Sequence, residues 1–172
     1  MISLASQHGA AEHDLKNTVL ILNGPGLGDL GNYNSRLYGR MTLASLASDC
    51  QALCDALGLE LDFRQTDNQD EMFRWIAKDS EKFDGVIINP IGHSPAMMQM
   101  FELYRSAIQM IASLKKPVIE VHITNIYRHV DEVTQPLHEP AGEMGFICGF
   151  GKLGYLLAIR ALARKFGAAR ET

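Results

Sequence analysis

Short apolar runs alternate along the chain with longer segments in which apolar residues recur every three or four positions. The runs are rich in valine, isoleucine and leucine, and they lie at 18–23, 59–64, 85–89, 117–123 and 145–150. Their length and nearly continuous apolar character predict buried strands. The first predicted helix begins near Thr42. Three further helices are predicted at about 69–82, 97–111 and 153–162.

The apolar faces of these helices follow from the same spacing. The first is predicted from Leu43, Leu46, Cys50, Leu53 and Leu57, the second from Phe73 and Ile76, the third from Met97, Phe101, Tyr104, Ile108 and Ile111, and the last from Leu153, Leu156, Leu157 and Leu162. Such stripes predict helices that pack one side against a sheet.

Strands that alternate with helices predict parallel pairing, because a right-handed helical crossover returns each strand in the same direction. Five such units predict an α/β fold: a flavodoxin-like doubly wound sheet of order 2-1-3-4-5, with helices on both faces. A chain of 172 residues fits one core. We therefore interpret 1–16 as an N-terminal tail and 17–172 as a single domain.

Charge and hydropathy exclude several kinds of partner. The formal net charge is −4 and no basic run stands out, which argues against a nucleic-acid partner. No segment approaches the roughly 20 apolar residues of a membrane span. The first residues lack a basic start followed by an apolar run, so no signal peptide is predicted and a cytoplasmic location is expected.

Three cysteines, Cys50, Cys54 and Cys148, lie in apolar stretches. Cys50 and Cys54 are one helical turn apart, which favours small buried hydrophobes in a reducing compartment. A metal pair at this spacing is the alternative, but no histidine is near either cysteine in the sequence to complete such a site. No metal site is therefore predicted.

Hydrogen-bonding side chains concentrate where the predicted strands end. The segments are NGPGLGDLGNYNSRLYG after the first strand, RQTDNQDE after the second, NPIGHSP after the third and EVHITNIYRH after the fourth. In a doubly wound sheet, ligands bind beyond the carboxyl ends of the strands. The pattern therefore predicts a small-molecule site at this edge.

A G-x-G-x-x-G motif, formed by Gly26, Gly28 and Gly31, follows the first strand. In dinucleotide-binding folds such glycines bring a helix N-terminus to a pyrophosphate. Here a polar loop follows and the first helix begins only near Thr42, whose hydroxyl is a candidate cap. A glycine-rich loop with positive φ angles is therefore favoured over a nucleotide site.

Several segments together resemble the type II 3-dehydroquinases. NGPGLGDLGNYNSRLYG resembles the family's N-G-P-N-L-N-x-L-G-x-R-x-P-x-x-Y-G, and FRQTDNQDE, IINP, PVIEVHITN and GYLLAIRAL follow in the family's order over about 17–167. The resemblance implies trans-dehydration of 3-dehydroquinate to 3-dehydroshikimate through an enolate, without a cofactor or metal. It also implies a homo-oligomer, either a trimer or a dodecamer formed by association of trimers.

The resemblance also implies roles for individual residues. Tyr38 matches the base that removes the proton next to the ketone. Asn23 matches the residue that helps to stabilise the enolate oxygen. His122 matches the acid that protonates the departing hydroxyl, and Glu120 the carboxylate that orients its imidazole. Each has a structural alternative: a turn residue at Asn23, a loop anchor at Tyr38, a hydrogen-bonded strand-end histidine at His122 and an internal salt bridge at Glu120.

The substrate contacts are implied in the same way. The segment at Ile123 and Thr124 resembles a clamp for the substrate carboxylate, and Asn89 matches a contact to substrate hydroxyls. His93 is the candidate for a displaced histidine of the family, since an ungapped match places Pro95 there. Arg128 and His129 are the candidates for the arginine that binds ring hydroxyls, which has no clean match.

The lid departs from the family, because Tyr33 aligns with the arginine that activates the base. A tyrosine, with an ordinary pKa of about 10, needs a nearby cation to act as a base near neutrality. Arg36 and Arg40 are the cations beside Tyr38, and Arg36 is our candidate.

Three hypotheses follow for the function. The first is a dehydroquinase with a rebuilt lid, and the second is a family member that has lost this reaction and binds or transforms a related polyol carboxylate. The third is an unrelated flavodoxin-like binding or nucleotide module.

Overall fold

Five parallel strands form the centre of the molecule in a computed structural model that describes residues 16–32, 41–90, 116–125 and 144–170. They are β1 (Thr18–Asn23), β2 (Glu60–Gln65), β3 (Gly85–Asn89), β4 (Val118–His122) and β5 (Met144–Cys148). The order is β2-β1-β3-β4-β5, and every pair is parallel. The predicted flavodoxin-like order is therefore confirmed.

Three helical segments are described around this sheet. The first, α1, spans Leu43–Ala56, and Thr42 caps it in a reciprocal capping box with Ser45, as the sequence predicted for Thr42. The second, α2, spans Gln69–Arg74 and continues as a π-helical turn, Trp75–Asp79, and a 3₁₀ turn, Ser80–Lys82. The third, α3, spans Leu153–Arg170. The helix predicted at 97–111 lies outside the described residues.

Two apolar clusters cover the opposite faces of the sheet. Residues Val19 and Ile21 of β1 belong to the cluster on the α1 and α3 side. Their neighbours Leu20 and Leu22 belong to the cluster with α2. Because successive strand residues point to opposite faces, this division fixes the face of each polar residue at the strand ends.

The buried face of α3 differs from the predicted one. Leu153 and Leu157 are 50% and 38% exposed, while Tyr155, Ile159 and Leu162 are buried. Almost every position of this stretch is apolar, so the spacing of apolar residues did not identify one face. Contact with the sheet determines which face of α3 is buried. The predicted Leu57 is also 37% exposed, since α1 ends one residue before it.

The carboxyl end of β2 is fixed to the π-helical turn after α2 by an ion-pair network. The Arg64 guanidinium contacts Asp62 and Asp79 at 2.6 Å each and lies over the Trp75 ring, 5.5 Å from its centroid. Hydrogen bonds from Lys82 and Arg64 lower the pKa of the Asp79 carboxyl. The network therefore stabilises the end of β2, where the Arg64 carbonyl accepts a hydrogen bond from the Asn23 side chain.

The two cysteines of α1 are fully buried. Burial, with a contribution from the neighbouring Cys54, raises the pKa of Cys50 to about 12, and burial raises that of Cys54 to about 11. Both thiols therefore stay protonated near neutrality and pack as small apolar groups. Within the described ranges, no group of three or more His, Cys, Asp or Glu side chains is placed to hold a metal ion. No helix in those ranges is both long and apolar enough to span a membrane.

Gly24, directly after β1, has no room for a side chain. A Cβ there would lie 2.0 Å from the Pro90 carbonyl oxygen, and the Gly24 amide donates to the Asn89 carbonyl at 2.8 Å. We expect Gly24→Ala to lower the free energy of unfolding by about 3 kcal/mol, because the β1 and β3 ends must separate. Denaturant unfolding measures this.

Gly167 in α3 provides the matched control, since a Cβ there meets nothing within 4 Å. Gly167→Ala should raise the free energy of unfolding by about 0.5–1 kcal/mol, because alanine has the higher helix propensity. If Gly24→Ala were within about 1 kcal/mol of the wild type, the close approach of the two strand ends would be contradicted.

Candidate active site

Three polar residues end neighbouring strands at one edge of the sheet. Asn23 and Asn89 are partners in the β1–β3 register, and His122 ends β4. All three are buried, Asn23 completely. Paired positions on neighbouring strands lie about 4.8 Å apart, so the two asparagines are adjacent. The predicted edge therefore gathers these residues.

The side-chain amide of Asn23 is held at both ends. Its nitrogen donates to the Arg64 carbonyl at 2.9 Å, and its oxygen accepts from the Tyr155 hydroxyl at 2.7 Å. The Asn89 amide nitrogen donates to the same hydroxyl at 2.9 Å. Tyr155 lies on α3, and no role was predicted for it from the sequence.

Glu120 and His122 form a buried pair on β4. They are two residues apart and share a face, as predicted, and their Oε1 and Nε2 atoms are 2.5 Å apart. The face is that of α2, because Val118 belongs to the α2 cluster. The imidazole also contacts the Phe146 ring, with centroids 5.6 Å apart.

This geometry distinguishes the two ring nitrogens of His122. Nε2 is engaged with the Glu120 carboxylate, while no described residue hydrogen-bonds to Nδ1. A carboxylate that accepts from one nitrogen fixes the tautomer and the ring orientation. The other nitrogen is then the one that can exchange a proton with a ligand.

The chain after β4 is fixed by the turn after β5. The amides of Gly149 and Gly151 donate to the carbonyls of His122 and Ile123 at 3.1 and 2.9 Å. Both glycines have positive φ angles. Ile123 is buried and Thr124 half-buried, so the segment predicted to clamp a carboxylate follows His122 at the same edge.

The glycine-rich loop after β1 is bound to the end of β2. The Gly26 amide donates to Asp67 Oδ1 at 2.9 Å, and Gln65 donates to the same oxygen. Gly26 and Gly31 have positive φ angles, as the structural interpretation of the motif predicted. A carboxylate on this loop disfavours a bound phosphate.

Four residues predicted for the site lie outside the described residues. They are Tyr38, Arg36, His93 and Arg128. The same holds for Tyr33, which aligns with the family's lid arginine.

A family model described as "Dehydroquinase class II" matches residues 17–163. The chain belongs to the class II dehydroquinase family. A 3-dehydroquinate dehydratase of Mesorhizobium japonicum is 41% identical over 153 residues, covering 86% of this chain and 98% of that protein. The 3-dehydroquinate dehydratase 2 of Pseudomonas aeruginosa is 36% identical, covering 90% and 99%.

A solved structure extends the likeness to three dimensions. The type II dehydroquinase of Propionibacterium acnes superposes with a TM-score of 0.74 at 32% identity, covering 87% of this chain and 97% of that one. The class II dehydroquinase resemblance and the flavodoxin-like fold predicted from the sequence are therefore both confirmed.

Proposed function

We propose that this protein is a hydro-lyase that dehydrates 3-dehydroquinate to 3-dehydroshikimate. Family membership supports the reaction class. The observation that carries the proposal is the buried Glu120–His122 pair at the carboxyl end of β4. It provides an oriented acid–base group at the edge where Asn23 and Asn89 end their strands.

The reaction proceeds in two steps at this edge. Tyr38 removes the proton next to the ketone, and the electron pair moves onto the ketone oxygen as an enolate. Asn23 offers an amide donor to that oxygen, directly or through a water, because the negative charge develops there. The enolate then collapses and expels the hydroxyl on the neighbouring carbon, which leaves as water with a proton from His122.

The protonating atom is assigned to Nδ1 of His122. Nε2 is held by Glu120 Oε1 at 2.5 Å, so Nδ1 is left to face the departing hydroxyl. Glu120 accepts a hydrogen bond from the Nε2–H group and keeps the ring in one orientation. The positive charge of the protonated imidazole is balanced by this buried carboxylate.

The substrate is a small polyol carboxylate. The segment Ile123–Thr124 holds its carboxylate through backbone amides, and Asn89, His93 and Arg128 bind ring hydroxyls. Arg36 activates Tyr38 as the displaced cation of the lid. The reaction uses no cofactor or metal, and the protein works as a cytoplasmic homo-oligomer, a trimer or a dodecamer.

Stereospecifically deuterated 3-dehydroquinate tests this mechanism. An anti elimination loses the deuterium that is anti to the departing hydroxyl and retains the one that is syn, since base and acid act from opposite faces of the ring. Mass spectrometry of the product measures the retention. Loss of the syn deuterium would contradict the roles of Tyr38 and His122.

A second function is favoured by one observation, the replacement of the family's lid arginine by Tyr33. Without an activating cation Tyr38 stays protonated, and the site then binds or transforms a related polyol acid without this dehydration. In that case quinate-like acids raise the melting temperature while 3-dehydroquinate gives no enone.

A further inference from the structure

The Tyr155 hydroxyl links the two asparagines that end β1 and β3. It lies 2.7 Å from Asn23 Oδ1 and 2.9 Å from Asn89 Nδ2. Tyr155 is completely buried on α3, among the apolar side chains of that face. A buried tyrosine must satisfy its hydroxyl, and here Asn23 and Asn89, two residues of the proposed site, are bonded to it.

The direction of these hydrogen bonds is fixed by chemistry. An amide nitrogen only donates, so the Tyr155 hydroxyl accepts from Asn89 and its single proton goes to Asn23 Oδ1. The Asn23 nitrogen then faces the Arg64 carbonyl at 2.9 Å. A flipped Asn23 amide would bring two carbonyl oxygens together, so Tyr155 and Arg64 select the same orientation.

This orientation leaves one donor of Asn23 for a ligand. Its nitrogen carries two N–H groups, and one is bound to the Arg64 carbonyl. The second has no hydrogen-bond partner among the residues that the structure describes. It is the donor that the proposed mechanism assigns to the enolate oxygen or to a bridging water.

Tyr155 also keeps its proton. Burial raises the pKa of its hydroxyl well above the ordinary value for tyrosine, although the Asn89 hydrogen bond acts in the opposite direction. The hydroxyl therefore remains a neutral donor over the working pH range, and the Asn23 orientation does not change with pH.

We propose that Tyr155 is a positioning residue for the dehydration. Its hydroxyl locks the Asn23 amide with the second N–H available to the enolate, and it ties Asn89 to the same point. The inference rests on the proposed function, because it assigns the group that orients a residue of that reaction. Tyr155 itself does not touch the substrate.

Tyr155→Phe removes the hydroxyl and keeps the ring. We expect kcat to fall about tenfold or more, with KM changed less, since an oriented donor acts mainly in the transition state. The decrease in kcat should be smaller than the decrease caused by Asn23→Ala, which is expected to be on the order of 10²–10³-fold. Steady-state kinetics on 3-dehydroquinate measure both constants.

Leu162→Ala is the matched control for a purely structural effect. Leu162 is buried on the same helix and lies against Gly85, at the opposite end of β3 from Asn89. The Leu162→Ala substitution should lower the melting temperature, while kcat should stay above about half of the wild-type value. An equal loss of kcat in both variants would overturn the positioning role.

A double-mutant cycle then tests whether Tyr155 acts through Asn23. In the Asn23→Ala background, Tyr155→Phe should change kcat less than about twofold, because the amide that it orients is gone. A full multiplicative loss in the double variant would overturn the inference.

Side-chain amide spectra separate this inference from the proposed function. In ¹⁵N-labelled protein, Tyr155→Phe should shift the Asn23 and Asn89 side-chain amide signals and accelerate their hydrogen exchange, whether or not the substrate is turned over. Unchanged signals would overturn the orienting role, while a wild type without enone formation would overturn the proposed function instead.

Discussion

Replacing His122 by glutamine is expected to lower kcat by about 10²–10⁴-fold, the usual contribution of a general acid. Glutamine places an amide nitrogen close to the position of Nε2, so the hydrogen bond to Glu120 can persist. It provides no proton for the departing hydroxyl. His122→Ala would also remove the partner of a buried carboxylate and so confound activity with stability.

Two measurements separate chemistry from folding in this variant. The melting temperature of His122→Gln should stay close to that of the wild type. Cys148 pairs with His122 in the β4–β5 register but has no assigned role, so Cys148→Ala should keep kcat within about twofold. A His122→Gln variant within about tenfold of the wild type would show that another group supplies the proton.

Tyr38→Phe is expected to reduce kcat to a similar extent, about 10²–10⁴-fold, because the base of the first step is lost. Phenylalanine keeps the ring and therefore any packing of a loop anchor. Substrate binding should change less than turnover, which calorimetry with a quinate-like acid measures. If Tyr38→Phe kept most of its activity, Tyr38 would be a loop anchor and not the base.

The activating cation is tested through the pH dependence of kcat/KM. A nearby positive charge favours the ionised tyrosine, so removing Arg36 should move the lower limb of the profile toward higher pH. Arg40→Ala is the matched control, because Arg40 lies equally near Tyr38 in the sequence. A profile that Arg36→Ala leaves unchanged would exclude Arg36 as the activator.

The sheet was predictable from the sequence because its central strands, β1, β3 and β4, are buried on both faces. The bounds of β1 and β3 agree with the prediction, since continuous apolar runs end there at an asparagine. β5 ends two residues early, at Cys148, because Gly149 takes a positive φ angle and its amide turns to the His122 carbonyl. Such a turn depends on contacts with β4 that no local pattern contains.

The helices that the structure describes were predicted in place but not in detail. Spacing alone does not distinguish the π-helical turn Trp75–Asp79 from an α-helix, and the Ser80 hydroxyl that hydrogen-bonds to the Ile76 carbonyl is visible only in three dimensions. The division into a tail at 1–16 and one domain at 17–172 stays a prediction.

The residues of the site that lie at strand ends or match the family's motifs were predicted from the sequence. They include Asn23, Asn89, Glu120 and His122, which the fold gathers at one edge. Tyr155 was missed because it is 132 residues from Asn23 and stands in an apolar run. The sequence indicates only that a tyrosine hydroxyl lies on a helix face that must be buried. Such a hydroxyl needs a hydrogen-bond partner, but the sequence does not identify that partner.

The ultraviolet absorbance of the enone product, followed after 3-dehydroquinate is added to the wild-type protein, tests the proposed function most directly. We expect a steady increase that is proportional to enzyme concentration and that His122→Gln reduces about 10²–10⁴-fold. No increase at high enzyme concentration, from a folded protein whose melting temperature quinate-like acids raise, would contradict the dehydratase and favour a binding protein of the same family.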